Sequence, residues 1–272
     1  MRRKLTSAVA ALTLVLFAGL AFGADLTASP VTFTSEGASV QAVLYQAAGG
    51  AKQPALVLSP GRIRDIKGIE WLSRALADRG YVVLAQQYRD GDVRYFWRDA
   101  EDIRNAISHL EKLSSVDGAR IGIVGHSRGG MASLLAAATD MRVRSTVALS
   151  APSDHLRYVR GLREYAPSRY VEMVKAHGGS PEDIAEYYRE VSAVTHAERI
   201  KTPVLLIHGT LDLVAPHDHS QWMYEALVKA GHPRAKLELL RGVGHFFEAG
   251  FGGYRHERVV ELAAGWFADT LK

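Results

Sequence analysis

Between Ala55 and Leu240 the chain alternates short, uninterrupted apolar runs with longer segments of helical period. Ala55-Leu56-Val57-Leu58, Tyr81-Val82-Val83-Leu84-Ala85 and Pro203-Val204-Leu205-Leu206-Ile207 lack charged positions, as expected of strands buried on both faces of a parallel sheet. Arg120-Ile121-Gly122-Ile123-Val124, Ser145-Thr146-Val147-Ala148-Leu149 and Lys236-Leu237-Glu238-Leu239-Leu240 continue the series. A helix is predicted near Ile69 to Arg79, closed by Gly80 where a C-cap glycine belongs. A second spans Asp99 to Leu113, with Ala100, Ile103, Ile107 and Leu110 on one side. A closing helix from about His256 to Leu271 puts Val259, Leu262, Ala263 and Trp266 on one face. Two strand-like pieces come first, Val31 to Thr34 and Ser39 to Gln46. Together they predict an α/β fold: a mostly parallel sheet of about eight strands flanked by helices.

One interval breaks the alternation. From about Ser153 to Ile200 no buried strand occurs, only polar helical segments interrupted by Ala166-Pro167 and Gly178-Gly179-Ser180-Pro181. Residues 153–200 are read as a small helical lid insertion, with simple cover for the sheet edge as the alternative. The amino terminus differs again. Met1-Arg2-Arg3-Lys4 is basic, Leu5 to Phe22 is uncharged, and Ala21-Phe22-Gly23 offers small residues where a signal peptidase reads. Residues 1–23 are therefore expected to be a cleaved signal peptide, with residues 24–272 forming one domain. A periplasmic or secreted protein with no stable membrane span after cleavage is implied.

Cleavage would take the formal charge from +4 to +1 by removing Arg2, Arg3 and Lys4. So balanced a chain does not have the charge of a nucleic-acid binder. The chain has no cysteine, which excludes disulfides, thiol catalysis and thiolate metal sites.

The chemistry gathers at three places. Gly125-His126-Ser127-Arg128-Gly129 lies between the strand ending at Val124 and an apolar helical stretch from Met131 to Ala138. A Gly-x-Ser-x-Gly there is the nucleophile-elbow pattern. Asp212 and His245 each follow a later strand, in the chain order Ser, Asp, His. A serine hydroxyl needs a base to accept its proton as it attacks, and an acid to orient that base. Ser127, His245 and Asp212 fit these roles. Asp154 is a second candidate acid, and His126 beside the nucleophile is read as structural. The oxyanion hole needs two backbone N–H groups. Arg128 supplies one; in Ser59-Pro60-Gly61-Arg62 the proline has none, so Arg62 is expected to supply the other, with Ile63 next. Arg62, Arg64 and Lys67 are a basic cluster read as solvated surface charge, with attraction of an acidic substrate as the alternative. His217-Asp218-His219, with His208 nearby, has metal-ligand residue types, but a two-residue spacing does not share a helix face. No metal or cofactor is expected. Phe96, Trp97, Tyr158, Phe246 and Phe247 are candidate pocket walls.

Pro203-Val204-Leu205-Leu206-Ile207-His208-Gly209-Thr210-Leu211-Asp212, together with Ser127-Arg128-Gly129-Gly130 and Gly242-Val243-Gly244-His245, resembles the prolyl-oligopeptidase-like and dienelactone-hydrolase-like branch of α/β-hydrolases. The resemblance covers nearly all of the chain after residue 23. It implies an α/β-hydrolase fold and a Ser-His-Asp triad. Pro60-Gly61 replaces the family's usual His-Gly, and dienelactone hydrolases use a cysteine nucleophile that is missing here. The oligopeptidases of this branch carry a large N-terminal propeller, for which 249 residues leave no room. The expectation is an exported serine hydrolase that cleaves carboxylic esters through an acyl-enzyme. A peptidase or amidase acting on short peptides is the alternative within enzymes. A non-catalytic binding protein on the same scaffold is the alternative outside them, and the complete set of three residues argues against it.

Overall fold

A computed structural model describes residues 26–47, 51–62, 65–89, 96–250 and 252–272. The expected signal segment, together with Ile63 and Arg64, lies outside the described residues. The strands are β1 (Leu26–Ser35), β2 (Ala38–Ala47), β3 (Gln53–Ser59), β4 (Val82–Gln86), β5 (Val116–His126), β6 (Val143–Leu149), β7 (Val204–Gly209) and β8 (Ala235–Leu240). They form one sheet in the order β1-β2-β4-β3-β5-β6-β7-β8. The first three in that order pair antiparallel, and the rest pair parallel.

The helices are α1 (Glu70–Ala77), α2 (Phe96–Leu110), α3 (Arg128–Ala137), α4 (His155–Tyr165), α5 (Pro167–His177), α6 (Ala185–Glu190), α7 (Asp218–Lys229) and α8 (His256–Thr270). Alternate strand residues feed two cores, one on each face. Ala55 and Val57 of β3 pack with α2, α3 and α7, whereas Leu56 and Leu58 pack with α1 and α8. This explains the uninterrupted apolar runs: a strand covered on both sides has no solvent face for polar residues. Every residue of α3 is buried, so it is the central helix of its layer.

The boundaries differ from the sequence expectation in places. The elbow helix begins at Arg128 rather than near Met131, because the chain turns into the helix directly after Ser127. The first strand begins at Leu26, where polar residues alternate along an exposed edge paired only with β2. Residues 153–200 hold α4, α5, α6 and a 3-10 helix over Ala193–Arg199. The polar appearance of this interval hides a small core of its own: Tyr158, Val159, Leu162 and Tyr188 are buried with Ala215.

Candidate active site

Ser127 sits between β5 and α3 with φ 54° and ψ −116°, a left-handed backbone rare for any residue with a side chain. The elbow holds it there. A Cβ at Gly125 would fall on the backbone of Gly129, and one at Gly129 on the Ser59 and Pro60 carbonyls, so strand and helix cross too closely for side chains. Its N–H donates to the Leu149 carbonyl at 2.7 Å, and its carbonyl accepts from Met131 N at 3.1 Å in the first turn of α3.

Parallel pairing of β3 with β5 puts Ser59 opposite Gly125, so the loops that follow run side by side. A Cβ built on Gly61 would lie 3.5 Å from the Ser127 Cβ, which places the Gly61-Arg62 peptide next to the nucleophile. The two expected oxyanion donors, the Arg62 and Arg128 amides, therefore belong to backbone flanking Ser127.

Asp212 and His245 come from the loops after β7 and β8, adjacent strands in the same parallel register. His245 Nδ1–H donates to Asp212 Oδ2 at 2.7 Å, and His208 Nε2–H donates to the same oxygen at 3.0 Å. The Val214 and Ala215 amides donate to Asp212 Oδ1 at 2.9 and 2.8 Å. Burial alone would push the Asp212 carboxyl up, but the hydrogen bonds from His208 and His245 hold it well below the usual carboxylate range. His208 is itself fixed: Nε2 also donates to the Ala215 carbonyl at 2.9 Å, which leaves Nδ1 to accept from the Ser220 hydroxyl at 2.7 Å.

His126 has a definite place. Burial lowers its pKa to about 3, so the ring is neutral. Its Nε2–H donates to the His245 backbone carbonyl at 2.8 Å, which ties the elbow to the histidine loop.

Two cavities meet at Ser127. One of about 570 Å³ is lined by Gly61, Arg62, His126, Arg169, His245 and Phe246. The other, of about 100 Å³, lies under the helical insertion, with Phe96, Pro152, Tyr158, Met173 and Ala176 as apolar walls and Arg62, Arg128, His155, Arg169, Glu172 and His177 as polar ones. The Arg128 side chain, which sequence reasoning gave no role, pairs with Asp99 at 2.6 Å, both buried, and lies 4.7 Å from the Phe96 ring centroid.

Asp154 caps α4, accepting from Arg157 N at 3.0 Å, away from His245. His208 goes to Asp212, His219 packs against Tyr158 and Trp222, and no group of three or more His, Asp or Glu able to hold a metal occurs among the described residues. Trp97 packs against His196 on the α2 side rather than lining either cavity, and Phe247 lines a separate cavity with Trp71 and His256.

A strained serine between a parallel strand and a helix, with a buried histidine–aspartate pair beyond the next strands, is an α/β-hydrolase arrangement. The model of the prolyl oligopeptidase family, Peptidase S9, matches residues 68–272. The chain belongs to the prolyl oligopeptidase family. It is a serine hydrolase. Among its relatives is an uncharacterized peptidase, YtmA of Bacillus subtilis, 28% identical over 228 residues that cover 81% of this chain and 80% of that one. Esterase LipC of Mycobacterium tuberculosis is 26% identical over 72% of this chain and 53% of its own length. Among solved structures, an acylaminoacyl peptidase from Pyrococcus horikoshii superposes with a TM-score of 0.77 at 22% identity, over 91% of this chain but only 42% of that one. Est1E from Butyrivibrio proteoclasticus superposes with a TM-score of 0.69 at 18% identity, over 89% of this chain and 98% of its own. These likenesses show the fold. Members of the family and its relatives carry both peptidase and esterase names, so the bond cleaved is not settled by kinship.

Proposed function

We propose that Ser127, His245 and Asp212 form the catalytic triad, and that the enzyme hydrolyses carboxylic esters with compact acyl groups. One observation carries the reading: strained Ser127 and His245, whose Nδ1 is committed to Asp212, open on the same cavity. With Nδ1–H donating to Asp212, His245 Nε2 is the free base. It takes the Ser127 proton as Oγ attacks the ester carbonyl. The Arg62 and Arg128 amides then hold the developing oxyanion. Collapse breaks the carbonyl–alkoxy bond, and the departing alkoxide takes the proton from His245. A water activated by His245 then attacks the acyl-Ser127 carbonyl and releases the acid.

The proton path assigns the two cavities. The leaving group must reach His245, so it departs through the wider cavity that His245 lines. The acyl group then occupies the cavity that touches Ser127 but not His245. Its volume of about 100 Å³ is below the roughly 150 Å³ of an apolar cavity that holds benzene, so it suits short acyl groups. The helical insertion that walls it acts as the lid.

Peptide cleavage is the second reading, favoured by the family description and by the peptidase name of the B. subtilis relative. The triad chemistry is the same with an amine leaving group. p-Nitrophenyl acetate, butyrate and octanoate compared with aminoacyl p-nitroanilides test the choice. The ester reading expects kcat/KM to be highest for the short esters and no measurable turnover of the anilides, because an activated ester outruns an anilide on any serine hydrolase. Ser127-dependent anilide cleavage overturns it.

We further propose that residues 1–23 are an export signal, supported by the basic start, the uncharged stretch and the small residues at Ala21 and Gly23. N-terminal sequencing of protein recovered from the periplasm or medium is expected to begin at Ala24. An intact Met1 terminus in cytosolic protein contradicts it.

A further inference from the structure

Arg169, on α5, is half-buried and, among the described residues, has no carboxylate partner. Its Nε is buried without a hydrogen-bond partner, and its guanidinium carbon stands 5.7 Å from the Tyr158 ring centroid. A cation withdrawn from water beside a ring, with a donor unused, lacks the anion that normally compensates such burial. Its location gives the vacancy meaning: Arg169 lines both cavities that meet at Ser127.

Arg62 lines the same two cavities. Its acidic neighbour Glu172, at 3.6 Å, also borders the acyl cavity, but with side chains 52% and 65% exposed that pair is weak and readily exchanged. Asp65, the carboxylate of the wider cavity, is taken up by the Lys67 amide at 2.9 Å. Arg128, the third guanidinium of the acyl cavity, is already matched by Asp99. Burial pushes the Tyr158 hydroxyl up while Arg169 and Arg62 pull against it, so both positive charges are felt at the acyl-cavity wall.

We propose that this site selects substrates carrying a carboxylate a few atoms from the scissile bond, bound by the Arg169 guanidinium with Arg62 beside it. The inference rests on Ser127 being the nucleophile and names the substrate class for that chemistry. A planar guanidinium fork matches a carboxylate, and a water-shielded pair of this kind is stronger than its surface counterpart. Because both arginines border both cavities, the carboxylate belongs either to the acyl part, as in a dicarboxylic half-ester, or to the leaving part, as in an acylated hydroxy acid or amino acid.

Two substrate pairs of matched size test this. Monoethyl succinate against ethyl valerate places the charge on the acyl side, and p-acetoxybenzoate against p-acetoxybenzamide places it on the leaving side. The expected result is a higher kcat/KM for the charged member of at least one pair, expressed mainly in KM and reduced by added salt. Arg169→Gln is expected to lower that ratio about tenfold or more, with partial recovery in Arg169→Lys. If Arg169→Gln does not fold, Arg62→Gln and the salt dependence of the unaltered protein decide the question. Preference for the neutral member of both pairs, or a ratio insensitive to both salt and the arginine variants, overturns the inference. Fluorophosphonate labelling of Ser127 is read separately. Labelling with a flat ratio sinks the carboxylate proposal alone, whereas absence of labelling sinks the nucleophile assignment.

Discussion

His208 donates from Nε2 to Oδ2 of Asp212 at 3.0 Å, so the oxygen that orients His245 is held by a second histidine from the end of β7. The carboxylate is thus fixed by four donors before His245 does any chemistry. His208→Ala removes one of them and strands the Ser220 hydroxyl and the Ala215 carbonyl. The expected cost is about 2–3 kcal/mol, read as a fall in melting temperature of about 5–10 °C. Ester turnover is expected to fall about tenfold in kcat with KM nearly unchanged, because positioning rather than binding is lost. Unaltered stability and kcat would show that His208 is not part of this assembly.

The elbow makes a contrast between two glycines. Gly125→Ala drives a Cβ into the Gly129 backbone, which cannot move without displacing α3, and is expected to give no soluble folded protein. Gly61→Ala meets only ordinary contacts, 3.4 Å to His126 Nδ1 and 3.5 Å to Ser127 Cβ. It is expected to fold within about 1 kcal/mol of the unaltered chain. Circular dichroism and urea titration of both variants check the contrast.

The buried Arg128–Asp99 pair predicts strong coupling. Asp99→Ala leaves a guanidinium largely out of water and is expected to cost about 3–5 kcal/mol. Arg128→Met with Asp99→Ala removes both charges, and the double variant is expected to be more stable than the Asp99 single variant. A double-mutant cycle by denaturant titration gives the coupling, and strict additivity would contradict it.

Acid sensitivity follows from buried histidines. Burial lowers His126 and His219 from 6.5 to about 3, and it carries His155 well below 6.5. Such a ring takes its proton only in the unfolded chain, so each contributes stability that is complete above 6.5 and declines as pH falls from there toward 3. The slope is at most about 1.4 kcal/mol per pH unit for each ring. Asp212 acts in a lower window: its depressed carboxyl contributes stability present above 3.8 and lost as pH falls below it. Urea titrations at neutral and mildly acidic pH should therefore show loss of stability before carboxylates titrate. His219→Asn should make that loss shallower, and an unchanged slope would contradict the assignment.

The parts legible in the sequence were those with a local signature. Apolar runs mark strands buried on both faces, and Gly-x-Ser-x-Gly marks a turn whose steric demand falls on Gly125 and Gly129 themselves. Asp212 and His245 could be placed because each follows such a run. What escaped depends on contacts between distant segments. Nothing near Arg128 announces that its side chain will reach Asp99 in α2, 29 positions earlier. His126 reads as a neighbour of the nucleophile, yet its work is to hold the His245 carbonyl, 119 positions away. His208 looked like a metal-ligand type because its partner, Asp212, lies one turn of loop further on rather than on a helix face. Arg169 sits in a stretch whose polar residues gave no sign of which would turn inward over Ser127.

His245 makes Ser127 nucleophilic, and Ser127 carries the acyl group. Intact-mass spectrometry after brief treatment with a fluorophosphonate, repeated on Ser127→Ala and His245→Ala, puts this to the test. The expected result is a single adduct on the unaltered chain, mapped to Ser127, none on Ser127→Ala, and a labelling rate on His245→Ala lower by about 100-fold or more. Full labelling of Ser127→Ala, or no labelling of the folded unaltered chain, would contradict it.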